Sequence, residues 1–232
     1  MSTLFIVATP IGNRDDISAR ALKVLTDVDL IACEDTRVTK RFLESYEIYT
    51  SLISYHAQSP DRKEEYICDL LKKGKDIALV SDAGTPAISD PGTRLVARVY
   101  QSVPDAKVIV IPGPSAVTAL LSASGISTHP YTFYGFLPHK KGRKTLIAEI
   151  LENKHTSVVY ESPHRVLSFI KSCIEYGAGE RLVVLGRELT KLYEEILRLS
   201  FSEVYEYFMQ HPEKIKGEFV IAITGTKHKN FF

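Results

Sequence analysis

IALVSDAGTPAISDPG, residues 77–92, runs from an apolar, strand-like stretch straight into a segment that is neither helix nor strand. Two Asp, two Gly and two Pro fall within residues 81–92. Proline fixes φ and glycine permits positive φ, so together they favour a rigid loop. A helix-like pattern resumes at residue 93. A strand that opens into such a loop before a helix is where open α/β sheets hold ligands. Carboxylates there suit amines or hydroxyls, and glycine lets a ligand approach the backbone. Taken alone, an Asp/Pro/Gly run is more often an ordinary turn, so the surrounding sequence decides.

Outward from that loop, short β-branched runs alternate with amphipathic stretches. Strands are predicted at 4–8, 30–33, 51–55, 77–81 and 108–111, and helices at 17–26, 36–46, 61–73 and 93–101. This alternation implies βαβ units and a largely parallel sheet. PGPS at 112–115 interrupts it, with Ser115 placed to cap a helix through about residue 124. Beyond it, strands are predicted at 131–136, 157–160, 182–186, 195–199 and 218–224, and helices at 145–152, 164–174 and 202–211. Consecutive strands around 182–199 make this second half mixed. The expected fold class is therefore two-domain α/β. A mainly parallel N-terminal sheet (1–113) and a mixed C-terminal sheet (114–232) would pack closely, with a cleft between them.

At 232 residues and 44% hydrophobic composition, the chain can bury one or two real cores. A net charge of +1 gives no global attraction to nucleic acid, so any RNA-binding surface must be local. Cys33, Cys68 and Cys173 are widely spaced and lack CxxC, which fits a reducing cytoplasm and argues against structural zinc or disulfides. Neither a signal-peptide core nor an apolar run of ~20 residues is present, so a soluble cytoplasmic protein is expected, with no membrane partner.

Five polar segments follow or interrupt apolar runs: TPIGN (9–13), SDAGTPAISDPG (81–92), PGPSA (112–116), YESPHR (160–165) and GRELTK (186–191). Loops after parallel strands gather on one edge, which makes a composite site. GxGxxG and GxxxxGK[ST] are both missing, which disfavours a dinucleotide cofactor and a P-loop nucleotidase.

Taken in order with CEDTR (33–37), GFLP (135–138) and KGE (216–218), these segments resemble the tetrapyrrole-methylase superfamily over residues 4–225. The branch they resemble is the ribosomal RNA small-subunit (cytidine-2′-O)-methyltransferase family. The resemblance implies two α/β domains, S-adenosylmethionine in the cleft between them, and a homodimer. It implies cofactor contacts at Pro10, Asp82, Ala83 and Thr85, then at Ser115 and Ala116, with Tyr160 and Gly186 beside the adenosine. Asp82 suits the methionine ammonium or a ribose hydroxyl, and a helix start at Ser115 suits its carboxylate. No metal is implied.

A sulfonium methyl is already activated, so alignment, worth ~7–11 kcal/mol of a barrier, outweighs a positioned base at ~10²–10⁴-fold. Glu161, Glu188 and Lys191 are the catalytic candidates, with either glutamate able to take the 2′-hydroxyl proton or orient the ribose. His164, Arg165, Arg187 and Lys191 are candidates for holding the acceptor and its phosphate. The competing reading is one salt-bridged cluster between the YESPHR and GRELTK loops. HKKGRK (139–144) is the one dense basic run, and Lys140, Lys141 and Arg143 would grip RNA phosphates. Arg37 and His56 are further candidates.

Two departures from the family pattern stand out. Gln58-Ser59 replaces a His-Asn pair, and the chain ends at Phe232 where many relatives carry a short extension. The expected partner is 16S ribosomal RNA or the small subunit, not DNA. The alternatives are a related methylase of a porphyrin-like ring or modified histidine, and a non-catalytic ribosome-assembly factor that binds RNA.

Overall fold

The computed structural model describes residues 2–90 and 92–227. The chain divides into two compact units, Met1–Ser115 and Ala116–Phe232.

In the first unit, strands β1 (Thr3–Val7), β2 (Leu30–Cys33), β3 (Leu52–Ser54), β4 (Ile77–Leu79) and β5 (Lys107–Ile111) form one sheet in the order β3-β2-β4-β1-β5. Every pairing in it is parallel. The period-two alternation of side chains divides its residues between two cores. Leu4, Ile6, Ala32, Ile77 and Leu79 pack with α3 (Asp61–Lys72) and α4 (Gly92–Ser102). Val7, Ile31, Cys33 and Ala78 pack with α1 (Ala19–Asp27) and α2 (Thr36–Glu44) on the other face. Helices on both faces are what near-continuous apolar strands require. Local chemistry sets the helix starts: Ser18 Oγ accepts the Ala21 amide at 3.1 Å, and Asp35 accepts the Arg37 amide at 2.8 Å. The helix expected from residue 17 begins instead at Ala19, because Asn13 opens a 3₁₀ turn over Arg14–Asp16.

The second unit opens with α5 (Ala116–Ser124), followed by β6 (Tyr131–Phe136), α6 (Arg143–Glu152), β7 (Thr156–Glu161) and α7 (Val166–Cys173). It continues through β8 (Leu182–Arg187), β9 (Glu195–Ser200), α8 (Phe201–Gln210) and β10 (Phe219–Ile223). The sheet order is β6-β7-β10-β8-β9, parallel between β6 and β7 and antiparallel elsewhere, hence mixed. Val159, Val183, Leu185, Phe219 and Ile221 face the core built with α6, α7 and α8. The other face meets α5, where Gly186 lets the helix approach: a Cβ there would lie 2.9 Å from Leu120 Cδ1. The helix expected over 164–174 starts at Val166, and a π-turn with Gly177 at φ +82° follows it. Cys33, Cys68 and Cys173 are buried free thiols, and burial pushes that of Cys173 up to about 12. Among the described residues, no helix is long and apolar enough to cross a membrane.

Candidate functional site

Because all five strands of the first sheet are parallel, the loops that follow them share one edge. The loop after β4 is joined by hydrogen bonds to three of the others. Thr9 and Gly84 exchange backbone bonds at 2.9 and 3.1 Å, linking it to the loop after β1. The Asp82 amide donates to Glu34 Oε1 at 3.4 Å, and Asp82 Oδ1 accepts the Asp35 amide at 3.3 Å, which ties in the loop after β2. Thr85 Oγ1 donates to the Pro114 carbonyl at 3.1 Å, beside the residues that lead into α5. Ala87 and Ser89 hold left-handed backbone at φ +67° and +64°, an unfavourable state for side-chain-bearing residues that concentrates at functional loops.

This edge is acidic. Burial, then the charge of Glu34, pushes the Asp90 carboxyl up to about 6, against a hydrogen bond from Ser81. Burial also raises the Glu34 carboxyl, against a hydrogen bond from the Asp82 amide. Asp82 and Ala83 are exposed, and Pro10 and Thr85 are half-buried on the same edge. Neither Glu34 nor Asp90 is among the candidates read from sequence, although both lie inside quoted segments, CEDTR and SDAGTPAISDPG.

Two RNA candidates of this unit differ in how they are held. Arg37 is 85% exposed and paired with Asp35, Nη2 to Oδ2 at 2.8 Å. His56 is half-buried, its Nδ1 accepting the Gln58 amide at 3.3 Å and its own amide donating to Ser59 Oγ at 2.9 Å. Ser59 is buried, and its carbonyl accepts from Arg94 Nη2 at 2.8 Å. Arg94 also pairs with buried Glu64, which accepts the Tyr55 hydroxyl at 2.9 Å. The Gln58-Ser59 departure therefore lies in a loop anchored to α3 and α4.

In the second unit, the register brings three of the quoted segments to one sheet edge. Phe219, at the start of β10, pairs with Glu161 on one side and Arg187 on the other. YESPHR, GRELTK and KGE therefore lie side by side. Their charges form separate clusters rather than one. Glu161 is buried, with Oε1 2.6 Å from Arg143 Nη1 and Oε2 3.2 Å from Arg165 Nε. Glu188 Oε1 accepts from Lys191 Nζ and from the Glu218 amide, both at 2.9 Å, and Lys191 reaches Glu218 Oε2 at 3.0 Å. Gly217, at φ +84°, makes this possible, since a Cβ there would lie 2.3 Å from Glu188 Cδ.

These contacts correct several expectations. Arg143 is only 14% exposed and turns inward to Glu161, so the exposed lysines of the basic run are Lys140, Lys141 and Lys144, with His139 exposed beside them. Arg187 is buried with its Nε 3.6 Å from Glu195 Oε2, which withdraws it from a phosphate. Glu161 has both oxygens directed at arginines in the interior, and its side chain is closed off from solvent. Burial acts to raise the Glu188 carboxyl, but hydrogen bonds from Lys191 and the Glu218 amide outweigh it and hold it low. Burial likewise acts to lower the Lys191 ammonium, and its bonds to Glu188 and Glu218 hold it high, so it stays charged. His164 is exposed in the turn before α7, while Arg165 is half-buried and bound to Glu161. Tyr160 lies on the opposite sheet face, against the rings of Phe133 and Phe136 at 5.0 and 5.2 Å.

Comparison with known proteins places this architecture. The sequence profile of the tetrapyrrole (corrin/porphyrin) methylases matches residues 3–205. The chain is 44% identical to the ribosomal RNA small subunit methyltransferase I of Vibrio cholerae over 96% of its own length and 77% of that protein's. It is 41% identical to the protein of that name from Thermotoga maritima, covering 97% of this chain and 99% of that one. Among solved structures, diphthine synthase matches with a TM-score of 0.73 at 12% identity, covering 97% of this chain and 90% of that one. The cobalamin biosynthetic enzyme cobalt precorrin-4 methyltransferase matches at 0.68 and 18%, covering 95% and 94%. At those identities the two structures speak for the fold alone. The fold and the near-full-length relatives agree, and the chain belongs to the tetrapyrrole methylase family, in the branch of the ribosomal RNA small subunit methyltransferase I proteins.

Proposed function

We propose that this protein transfers a methyl group from S-adenosylmethionine to the 2′-hydroxyl of a cytidine in 16S ribosomal RNA, working in the cytoplasm as a homodimer. The observation that carries this reading is identity of 44% over 96% of the chain to a protein named for methylating small-subunit ribosomal RNA. The residues present suit the donor. Exposed Asp82 offers a carboxylate to its ammonium or ribose, and exposed Ala83 and half-buried Thr85 and Pro10 line the same edge. Ser115 and Ala116, at the start of α5, suit its carboxylate, since a helix start favours negative charge. Tyr160 offers a ring edge, whereas the bare backbone of Gly186 already serves the packing of α5.

When bound, the donor supplies an electrophilic methyl on sulfur. This chain's residues then have to align the ribose oxygen and grip its phosphates. Lys140, Lys141, His164 and Arg37 are the exposed candidates for RNA contact. Lys191, fixed as an ammonium by two glutamates, suits orienting a phosphate rather than taking a proton. Glu188, held low, suits positioning that lysine. Incubating 16S ribosomal RNA and small subunits with the protein and S-adenosylmethionine, then mapping ribose methylation by mass, tests the reading. One cytidine made heavier by a single CH₂ on its ribose is the expected result. No transfer to either RNA substrate, or methyl on a base, overturns it.

A further inference from the structure

Glu161 is the last residue of β7, and its side chain lies on the face covered by α6 and α7. Its two arginines do more than neutralise it. Arg165 Nη1 donates to the Leu137 carbonyl at 2.9 Å, and Arg143 Nη1 to the Pro138 carbonyl at 3.4 Å. One buried carboxylate thus fastens the end of the GFLP segment, the start of α6 and the start of α7. A buried carboxylate stripped of a partner is costly, so both arginines are kept at their posts. His139, Lys140, Lys141 and Gly142 lie between those anchors, tied at Pro138 and at Arg143. Gly142 turns the chain at φ +83°, and nothing lies within 4 Å of the place a Cβ would take, so it serves the backbone path rather than packing. Lys140 and Lys141 stay exposed on this short, doubly anchored span.

We propose that Glu161 is a positioning residue that presets Lys140 and Lys141 as a rigid grip for the phosphates of a polynucleotide. This rests on the reading that the lysine run meets RNA. A span fixed at both ends has less conformational freedom left to lose on binding, which is how preorganisation gains affinity. Glu161 thereby acts through the lysines and touches neither substrate nor the reacting atoms.

The test is a double-mutant cycle on the full chain, with 16S ribosomal RNA as the probe. Kd across a salt series, and kcat and KM, are measured for Glu161→Gln, for Lys140→Ala/Lys141→Ala, and for the combination. Glu161→Gln should raise KM and Kd about tenfold, with kcat at saturating RNA within about twofold. In the lysine-free background it should add nothing. A two-glycine insertion after Lys141 frees the span while sparing the buried cluster, and should reproduce the tenfold loss even where Glu161→Gln folds poorly. An equal loss in the lysine-free background, a fall in kcat with unchanged KM, or an insertion without effect each overturn the proposal. Unchanged affinity in Lys140→Ala/Lys141→Ala also overturns it. Methyl transfer to RNA by the wild-type protein would still uphold the broader function.

Discussion

The loop edge of the first sheet and the charged edge of the second hold their ionisable groups in opposite ways. In the first, backbone and hydroxyl bonds tie the loops together, and the carboxylates of Glu34, Asp82 and Asp90 crowd one another. In the second, each carboxylate is tied to cations: Glu161 to two arginines, Glu188 to Lys191. Burial, with neighbouring carboxylates adding to it, raises the proton affinity of Glu34 and Asp90; burial acts the same way on Glu188, but its bonds from Lys191 and the Glu218 amide outweigh it. A crowd of carboxylates on a fixed backbone is suited to receiving a cation, and the proposed donor carries both an ammonium and a sulfonium. A set of paired charges is suited to holding loops in shape.

Arg143→Ala should break the second region hardest. It leaves buried Glu161 with one arginine, and a loss of about 3 kcal/mol in urea unfolding is expected. Stability within experimental error of wild type would show that the pair has no structural role. Next comes Asp82→Asn in the first region. It should weaken S-adenosylmethionine binding about 10–100-fold by calorimetry while leaving the melting temperature near that of wild type. Donor affinity equal to wild type would remove Asp82 from the proposed contacts.

Asp90 sharpens the contrast through pH. Its carboxyl is pushed up to about 6 in the folded chain, by burial and then by Glu34, from an ordinary 3.8. The stability it contributes is therefore full below pH ~4 and lost as pH rises through about 6. After discounting for partial exposure, Asp90→Asn should be more stable than wild type by about 1 kcal/mol at pH 7 and equal to it at pH 4. A stability gap independent of pH would contradict the raised carboxyl of Asp90. The smallest effect is expected at Arg37, which is exposed and paired only with its neighbour Asp35. Arg37→Ala should leave the melting temperature unchanged and lower the salt slope of RNA binding by about one.

Much of this was legible from pattern. Runs such as LIAC (30–33) and YTFYGF (131–136) became strands with the bounds their residue types predict. The gathering of loops after β1, β2, β4 and β5 followed from the parallel alternation. Side-chain partners were harder, because they depend on which helix lands on which face. Arg143 sits in a run of lysines, and nothing local marks it as the partner of a glutamate eighteen positions on. A usable signal did exist in the strands. Counting by twos from Val159 reaches Glu161, and from Val183 through Leu185 reaches Arg187, so both side chains point into the helix-covered core. The same count puts Tyr160 and Gly186 on the α5 face. The turns at Arg14–Asp16 and Ile174–Ala178 left no periodic trace and were missed.

The two strand orders also bear on the sequence of events at the ribosome that makes this chain. Among the described residues, β1 pairs only with β4 and β5, so this earliest strand of its sheet has no neighbour until residues beyond 77 follow it. β10 separates β7 from β8, and it is the last strand of its sheet to appear. One sheet must hold its opening strand in waiting, and the other must hold a gap for its closing one. Contacts that span so much chain close late and slowly. The exposed apolar edges of Thr3–Val7, and later of Thr156–Glu161 and Leu182–Arg187, are thus the segments most in need of shelter while synthesis is under way.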